Sequence, residues 1–350
     1  MAAKPIAQDD LDHILAATRP LWEQMRGERI FITGGTGFFG CWLLESFCHA
    51  NRSLDLKACA TVLTRSPEVF RAKLPHVTDD SAITLHEGDV RDFEFPEGEF
   101  RFLIHAATEA SAKQANEAPL EMLSTILAGT QRTLEFAASH GTRKLLLTSS
   151  GAVYGKQPSN LTHVPESYTG APNSLDPASV YAEGKRASEL MCALHAKATG
   201  MECKIARCFA FCGPHLPLNA HFAIGNFIRD VLAGRTIQMG GDGTPRRSYL
   251  YASDLMIWLW TILLEAPSLV PFNVGSDEAL SILELAHAVI RALNSNVAVQ
   301  VAKEAMGGGA VARYVPQVDR AAELGLRQTV GLEEAIRRTA AWYGPDKESG

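Results

Sequence analysis

A short apolar stretch that breaks into evenly spaced glycines constrains the fold most. Residues 29–33 (RIFIT) predict a buried parallel strand, and the next seven residues place glycines at three-residue spacing just before a predicted helix. In such a unit the first glycine permits the tight turn, the second lets a pyrophosphate approach the backbone, and the third lets the helix pack on the sheet. A flexible turn is the alternative, which the strand before and the helix after argue against. We therefore expect a dinucleotide on this loop, in contact with Gly34, Gly37, Phe38, Phe39 and Gly40.

Apolar strands alternate with helical stretches from Glu28 to about Phe209. This alternation is typical of a doubly wound parallel sheet with right-handed crossovers, whose functional residues lie at the carboxyl ends of the strands. The predicted fold class is α/β, a Rossmann-type doubly wound parallel sheet with a smaller mixed α/β C-terminal lobe. Strands are predicted near 29–33, 57–64, 82–90, 101–107, 143–149 and 202–209, and helices at 38–50, 118–140 and 178–199.

The remaining sequence divides into three further regions. Residues 1–27 predict two short helices separated at Pro20, which form a clasp against the first domain or, alternatively, a partner-binding helix. The nucleotide-binding domain is placed at 28–210, the smaller lobe at 211–343 with the chain free to cross between them, and a tail at 344–350. The triplet Gly307–Gly309 predicts a loop beside whatever the lobe binds. In the lobe we expect strands at 236–239 and 248–251 and helices at 222–234, 253–265, 282–293 and 331–343.

Composition argues against several classes of function. The 350 residues carry a formal charge of −6 with no basic block, so we expect neither a nucleic-acid groove nor binding to an anionic membrane surface. The seven cysteines lack metal-type spacing, which predicts a reducing compartment and no metal. The start of the chain is acidic, unlike a signal peptide, and the longest apolar run, Leu255 to Leu264, is too short to span a bilayer. A cytoplasmic location is the expectation.

Residues that follow the second and third strands suit the adenosine half of a dinucleotide. An acid that would bind the ribose 2′-hydroxyl is missing after the second strand, and Arg65 can instead accept a 2′-phosphate, unless it is simply a solvated loop residue. Asp89 is expected to accept the adenine amino group while Val90 packs on the ring. The predicted cofactor is therefore NAD(P), with a lean to NADP(H).

The fourth strand ends in small residues. Ala106 and Ala107 would let the strand end lie close to the cofactor, and Thr108 follows them. His105 is expected to be a packed core histidine rather than a catalyst.

A serine, a tyrosine and a lysine are placed to form an acid/base unit. Ser150 ends the fifth strand, and Tyr181 and Lys185 follow at i and i+4 on one face of the next helix. A tyrosine with an unperturbed pKa near ~10 is a poor base, but a nearby ammonium and a positively charged nicotinamide favour the phenolate. The pattern predicts that Tyr181 and Lys185 form an acid/base pair near the Ser150 hydroxyl, and Lys185 can also hold the nicotinamide ribose.

Eight segments occur in the order seen in the extended short-chain dehydrogenases/reductases. The chain resembles their nucleotide-sugar epimerase, dehydratase and decarboxylase branch over about residues 28–343. The segments are TGGTGFFG, GDVRD, HAAT, LLLTSSGAVYG, YAEGK, RCFAFCGP, GDGTPRRSYLYASDL and FNVG. The resemblance implies hydride transfer by Ser150, Tyr181 and Lys185, and a homodimer in which helices 118–140 and 178–199 form a four-helix bundle.

The same resemblance implies a nucleoside-diphosphate sugar as the substrate. The small lobe is similar to UDP-glucuronate decarboxylases in residues 225–228 (GNFI), which implies a nucleoside diphosphate there. Arg247 would bind the diphosphate, with Arg313 as a second phosphate ligand. The predicted substrate-binding residues are Thr108, Asn226, Arg247 and Arg313.

Three departures from the family pattern bear on the reaction. Gly151 and Ala152 stand where dehydratases carry Asp-Glu and decarboxylases carry Ser-Glu, while Ala210 and Ile126 replace a substrate-phosphate Asn and an active-site Asn. Without that acid pair, dehydration and decarboxylation are expected to be absent. The prediction is a nucleotide-sugar 4-epimerase. The alternative is an NADPH-dependent reductase of a 4-keto nucleotide sugar. A decarboxylase or dehydratase and a non-catalytic NAD(P)-binding regulator are less favoured.

Overall fold

The strand–turn–helix predicted at residues 29–50 is present in the computed structural model, which describes residues 2–107, 112–220, 222–302 and 311–344. Thr108, the loop at Gly307–Gly309 and most of the predicted tail lie outside the described residues. The strands are β1 (Arg29–Thr33), β2 (Cys59–Thr64), β3 (Ile83–Glu87), β4 (Phe102–His105), β5 (Lys144–Ser150), β6 (Glu202–Cys208), β7 (Phe211–Cys212), β8 (Ile237–Met239), β9 (Arg246–Arg247), β10 (Leu250–Tyr251), β11 (Pro271–Val274), β12 (Leu280–Ser281), β13 (Val299–Val301) and β14 (Arg313–Tyr314).

Helices connect these strands, and the three long ones predicted for the first domain are all observed. They are α1 (Gln8–Thr18), α2 (Phe38–Leu54), α3 (Pro67–Lys73), α4 (Pro75–Thr78), α5 (Ala112–Glu117), α6 (Pro119–Ser139), α7 (Val180–Thr199), α8 (Ala223–Leu232), α9 (Ala252–Glu265), α10 (Ile282–Ala292), α11 (Asp319–Glu323) and α12 (Leu332–Tyr343). Short 3-10 turns occupy Arg19–Met25, Gly151–Tyr154 and Pro177–Ser179.

A seven-stranded sheet is the frame of the fold, with the strand order β11-β6-β5-β4-β1-β2-β3. Strands β1 to β6 pair in parallel, and the order reverses direction between β1 and β4, as in a doubly wound sheet. The α/β Rossmann-type fold predicted from the sequence is confirmed. Because ligands of such sheets bind at the carboxyl strand ends near the reversal, the ends of β1 and β4 mark the expected site.

The chain forms two compact units, each assembled from several segments. The first unit holds residues up to Gly155 together with Ala171–Cys208 and Met256–Phe272. The second holds Lys156–Gly170, Phe209–Leu255 and the residues from Asn273 onward. The domain limits given by the sequence at 27/28, 210/211 and 343/344 stay a prediction.

Aromatic side chains and two lysines stabilise the first unit. The Phe31 ring contacts Phe93, Phe100 and Phe136, with centroid distances of 5.5, 5.6 and 4.5 Å. In β5 and β6, the Lys144 ammonium donates to the Leu264 carbonyl at 2.5 Å and Lys204 donates to the Ala266 carbonyl. These cations lie where the dipole of α9 is negative, so they stabilise the helix end.

The N-terminal helices pack on the first unit. Trp22 is fully buried and its ring lies 4.7 Å from that of Trp260, while the Ile6 N–H donates to the buried Glu45 carboxylate at 2.8 Å. These contacts join the N-terminal segment to Glu45 and Trp260, and its role as a clasp stays a prediction. Within the part of the chain that the structure describes, no helix is both long and apolar enough to cross a membrane.

Candidate active site

The glycine loop lies against the end of β4. Gly34 has a φ of +74°, and a Cβ built on it would be 2.4 Å from the carbonyl carbon of Ala106, so only glycine fits. The Ala106 N–H donates to the Thr33 carbonyl at 3.1 Å, and the Ala107 N–H is 3.3 Å from the Thr33 hydroxyl. The structure therefore brings the loop and both predicted alanines together at the carboxyl edge of the sheet.

The first turn of α2 offers amide groups to a phosphate. The first hydrogen bond within the helix runs from the Cys41 N–H to the Gly37 carbonyl at 3.0 Å, so the amides of Phe38, Phe39 and Gly40 precede the helical ladder. A Cβ on Gly37 would meet only the Gly34 carbonyl oxygen, at 3.6 Å, which leaves room in front of this backbone. Open space at a helix N-terminus fits the pyrophosphate of a dinucleotide.

The third glycine has a different role from the one expected. A Cβ on Gly40 would lie 2.1 Å from the carbonyl carbon of Gly35, so this glycine lets the helix approach the loop rather than the sheet. Gly35 itself packs on β2, because its Cβ would be 2.5 Å from the Val62 side chain. Gly35 is not among the residues predicted from the sequence, although the doubled glycine after the strand is a signal that identifies it.

The groups predicted for the adenosine half cluster after β2 and β3. The Asp89 carboxylate accepts from the Arg91 Nε at 2.8 Å and from the Arg91 main-chain N–H at 3.0 Å. These bonds, together with the charges of Arg91 and Arg65, lower the pKa of Asp89. Arg65 is exposed, and Val90 packs on α6, where a Cβ on Gly129 would be 2.9 Å from it. Arg91 is a contact that the sequence analysis missed.

The three predicted catalytic side chains meet at the carboxyl end of β5. Ser150 is buried, its Oγ accepts from the Ala152 N–H at 3.1 Å, and its side chain is hydrogen-bonded to the Tyr181 hydroxyl. Lys185 lies one turn further along α7, is buried, and donates from Nζ to the Thr148 carbonyl at 2.8 Å. Serine and tyrosine oxygens thus lie together, with an ammonium group on the same helix face.

Burial, more than charge, sets the acidities of this site. It raises the pKa of Tyr181 to about 12, and the hydrogen bond from Ser150 acts in the opposite direction. It also lowers the pKa of Lys185 to about 8. The sequence predicts that the Lys185 ammonium and a bound nicotinamide together favour the phenolate. In the protein alone the Tyr181 pKa is raised instead, and the Lys185 ammonium lies 6.0 Å from the ring centroid and is turned to the Thr148 carbonyl. The effect of the nicotinamide stays a prediction.

His105 is a buried structural residue, as the sequence predicts. Its Nδ1 lies 2.8 Å from the Thr33 hydroxyl oxygen and its Nε2 lies 3.2 Å from the Thr130 hydroxyl oxygen. Burial, with a smaller contribution from Lys185, lowers the pKa of His105 to about 3. The ring is therefore neutral, and both of its nitrogens have a hydrogen-bond partner. This arrangement fits a structural role beneath the strand ends rather than a role as an acid.

Apolar groups occupy the positions where the sequence departs from the family pattern. Ile126 is buried on α6 and packs on Gly184, whose Cβ would be 2.9 Å from it. Gly151 and Ala152 form the start of the 3-10 turn after Ser150, and Ala210 accepts from the Leu250 N–H through its carbonyl at 3.0 Å. None of these four side chains can donate or accept a proton.

The remaining predicted substrate residues belong to the second unit. Arg247 in β9 pairs with Tyr314 in β14, and Arg313 pairs with Arg246. Because paired residues share a face and neighbours alternate, Arg313 shares a face with Arg246 and not with Arg247. The structure places the two predicted phosphate ligands on adjacent strands but on alternate faces. Asn226 accepts from the Arg229 Nη1 at 3.1 Å through its side-chain oxygen.

Known proteins match most of the chain. Residues 30–275 match the NAD dependent epimerase/dehydratase family. The chain is 30% identical to UDP-glucuronic acid decarboxylase 1 of Danio rerio, over 92% of this chain and 74% of that protein. It is 29% identical to UDP-glucuronic acid decarboxylase 3 of Arabidopsis thaliana, over 88% of this chain and 86% of that protein.

Solved structures share the fold. A dTDP-glucose 4,6-dehydratase from Streptomyces venezuelae with NAD and TYD bound superposes with a TM-score of 0.75 at 25% identity, covering 90% of this chain and 96% of that one. UDP-glucose 4-epimerase of Thermotoga maritima, solved with UDP-glucose, gives a TM-score of 0.73 at 20% identity, covering 90% of this chain and 98% of that one.

Proposed function

Since the chain belongs to the NAD dependent epimerase/dehydratase family, we propose that it transfers hydride at C4 of a nucleoside-diphosphate sugar. The observation that carries the proposal is the hydrogen-bonded pair of Ser150 and Tyr181, with Lys185 one helical turn away. Hydride transfer at an alcohol carbon needs one proton removed from, or returned to, the hydroxyl oxygen. A hydrogen-bonded tyrosine and serine can do this at a single oxygen.

The cofactor is NAD(P), and when bound it accepts hydride from the sugar carbon and returns it. The glycine loop and the first turn of α2 would hold its pyrophosphate. Tyr181 has a pKa of about 12 and carries its proton at pH 7, so it is ready to protonate an alkoxide at C4. Removal of a proton in the other direction needs positive charge nearby, and Lys185, with a pKa of about 8, is protonated at pH 7 and supplies it.

Decarboxylation of a nucleotide uronic acid is the first candidate for the overall reaction. Two relatives named UDP-glucuronic acid decarboxylase are 29–30% identical over most of both chains, which weighs against the expected exclusion of this reaction. Oxidation at C4 of a uronic acid gives a ketone β to the carboxylate. Carbon dioxide can then leave with its bonding electron pair passing into the ketone as an enolate, which is protonated at C5 before C4 is reduced. That departure needs no base, so Ala152 slows the reaction without forbidding it.

A 4-epimerase is the second candidate, favoured by the apolar side chains of Ala152 and Ile126. Among the described residues, Ser150, Tyr181 and Lys185 would suffice, with NAD(P) bound, for oxidation at C4 and reduction on the other face of the sugar ring. A 4,6-dehydratase must also remove the C5 proton and protonate the C6 hydroxyl. Each missing acid or base costs about 10²–10⁴ in rate, so dehydration is the least favoured outcome.

The test is product analysis by NMR. The protein is incubated with UDP-glucuronate, UDP-glucose and dTDP-glucose, each with NAD or NADP, and with a 4-keto nucleotide sugar and NADPH. A nucleotide pentose identifies a decarboxylase, a C4 epimer identifies an epimerase, and reduction only of the ketone identifies the reductase. Tyr181→Phe is expected to lower the rate by about 10²–10⁴. A protein that converts none of these compounds, or a Tyr181→Phe variant as active as the wild type, would contradict the proposal.

We also propose that the protein is a homodimer through helices 118–140 and 178–199. Leu190 and Leu194 lie at i and i+4 on α7 and are 61% and 58% exposed, and Leu120 on α6 is 82% exposed. Exposed leucines on two packed helices are typical of an interface. In sedimentation, Leu190→Glu with Leu194→Glu is expected to yield monomer, while Val69→Glu, at an exposed position on α3, is the control. A monomeric wild-type protein would contradict this.

A further inference from the structure

Helix α7 carries a carboxylate that joins it to two strands. Glu189 follows Lys185 by one turn, so it lies on the same helix face. Its carboxylate accepts from the Ser149 hydroxyl at 2.5 Å and, through both oxygens, from the Arg207 Nε and Nη2 at 3.0 and 2.7 Å. The side chains of Glu189 and Arg207 are only 16% and 15% exposed. The contact is therefore a bidentate ion pair in a mostly dry environment.

Arg207 connects this pair to the turn that follows Ser150. It lies opposite Ser149 in the β5–β6 register, and its guanidinium carbon is 4.8 Å from the ring centroid of Tyr154. Tyr154 is buried and ends the 3-10 turn. Helix α7 reaches the same turn a second time, because Arg186 donates to the Val153 carbonyl at 3.1 Å.

These contacts surround the catalytic group without touching a reacting atom. Ser150 lies between Ser149, which binds Glu189, and the turn, which binds Arg207 and Arg186. Tyr181 lies two turns before Glu189 on α7. Apolar packing would tolerate small shifts of a helix along a strand. A bidentate ion pair instead fixes the distance between the helix and the strand and the orientation of the two side chains. A displacement of 1 Å in a catalytic group can cost about 10² in rate.

We propose that Glu189 and Arg207 are positioning residues, whose ion pair fixes the helix that carries Tyr181 and Lys185 against the strand end that carries Ser150. The inference rests on the proposed hydride-transfer function. A buried ion pair is on its own weak support for stability, because desolvation offsets the attraction between the charges. This ion pair can instead fix the position of α7 relative to β5 and β6, which an apolar replacement cannot do.

Glu189 also acts on the charge of Lys185. Among the described residues, the titratable groups that face Lys185 include Tyr181, Glu189 and Cys192 on its own helix, Cys208 on β6 and His105 on β4. Tyr181, Cys192, Cys208 and His105 are neutral at pH 7. Burial raises the pKa of Tyr181 and Cys208 and lowers that of His105, while a hydrogen bond with Cys203, followed by burial, raises the pKa of Cys192. Burial lowers the pKa of Lys185, and the carboxylate of Glu189, ion-paired with Arg207, acts in the opposite direction.

Two variants test the inference, each with a matched control. Glu189→Gln removes the charge, and Glu189→Leu with Arg207→Met replaces the ion pair by apolar groups. The first control is the single variant Glu28→Gln, and the second is the double variant Glu28→Leu with Arg101→Met. Both change the ion pair between Glu28 and Arg101, whose atoms lie 3.3 Å apart at the amino edge of the sheet. We expect the double variant to keep the wild-type urea midpoint. Its kcat should fall about ten- to a hundredfold, with KM and the cofactor Kd within about threefold, and the controls should match the wild type.

A second readout does not depend on turnover. The pKa of Lys185 can be followed by NMR of lysine labelled at Nζ with ¹⁵N, assigned by the loss of its signal in Lys185→Met. Glu189→Gln is expected to shift this pKa below the wild-type value of about 8. If the protein turns over a substrate, its pH–rate profile should move in the same direction.

The outcomes separate the inference from the proposed function. A wild-type protein without turnover refutes the proposed function, and the NMR comparison then still decides the inference. Unchanged kcat, or an unchanged Lys185 pKa where turnover is absent, would overturn the positioning role. A further result would also overturn the positioning role. In it, the double variant is as active as the wild type, and Glu189→Gln loses activity only in proportion to its loss of stability.

Discussion

The ammonium group of Lys185 donates a hydrogen bond to the main-chain carbonyl oxygen of Thr148 at 2.8 Å. This bond joins α7 to β5 two residues before Ser150, within the interior of the first unit. Burial lowers the pKa of Lys185 from 10.5 to about 8, because the charged form loses its hydration. At about 1.4 kcal/mol per pKa unit, holding this charge at pH 7 costs on the order of 3 kcal/mol of folding free energy.

Lys185→Met should therefore be more stable and less active than the wild type. We expect the free energy of unfolding at pH 7 to rise by about 1–2 kcal/mol, since the Thr148 carbonyl loses its donor and offsets part of the gain. Between pH 8 and 10.5 the unfolded chain binds more protons than the folded one, so wild-type stability rises with pH there and the advantage of the variant disappears. Urea unfolding at pH 7 and pH 10.5 measures both effects.

The control for this prediction is Lys204→Met. Lys204 is equally buried but is paired with Glu202 and with the Ala266 carbonyl at the end of α9. Its replacement removes a helix cap and an ion-pair partner, so it should lower the free energy of unfolding. A Lys185→Met variant that loses stability like Lys204→Met would contradict the account of a costly buried charge.

The low pKa of His105 predicts part of the acid sensitivity of the fold. The folded pKa is about 3 and the ordinary value is 6.5, so between these pH values the unfolded chain binds more protons. This residue alone should reduce stability by about 1.4 kcal/mol for each pH unit below 6.5. In His105→Asn the free energy of unfolding should vary less with pH between 6 and 4. The exposed His287→Asn should follow the wild type, and parallel curves for all three proteins would refute the prediction.

Local signals predicted the frame of the fold well. The strand β1, the helix α2 and the helix α7 begin within two residues of their predicted positions. The glycine loop ends where α2 starts, and the turn Pro177–Ser179, capped by Asp176, leads into α7. The same signals located Ser150, Tyr181 and Lys185. Spacing on a strand end and on a helix face is a property of sequence distance alone, so no long-range contact had to be known.

Contacts between distant segments were not predictable. The short helices α3 and α4 and the two-residue strands β9, β12 and β14 lack a periodic pattern long enough to detect. The direction of the Tyr181 pKa shift depends on how deeply α7 and β5 bury the hydroxyl, which a motif does not contain. The alternate faces of Arg247 and Arg313 follow from a pairing between residues far apart in the chain.

Arg65 tests the choice between the two forms of the cofactor. A guanidinium beside a 2′-phosphate is worth about 1.5–3 kcal/mol, or roughly ten- to a hundredfold in binding. Arg65→Ala should weaken NADP by this factor and leave NAD unchanged, as measured by fluorescence titration. Arg71→Ala is the control, because Arg71 is an exposed arginine of the neighbouring α3 that pairs with Glu68. Equal wild-type affinities for NAD and NADP, or an Arg65→Ala variant that binds NADP unchanged, would refute the preference.

Two glycines of the loop should respond differently to the same substitution. Gly34→Ala places a Cβ 2.4 Å from the main chain of Ala106 at a φ of +74°, so it should lower the melting temperature strongly or prevent folding. Gly37→Ala meets only the Gly34 carbonyl oxygen at 3.6 Å, and Gly37 has a φ of −84°, so the variant should fold like the wild type. Its new methyl group lies in front of the α2 N-terminus, where the pyrophosphate is expected. The cofactor Kd should therefore rise at least about tenfold, through lost contacts worth about 1.4 kcal/mol or more. Calorimetric titration of Gly37→Ala with NAD and NADP is the measurement, and wild-type affinity for both would mean that the dinucleotide does not cross this loop.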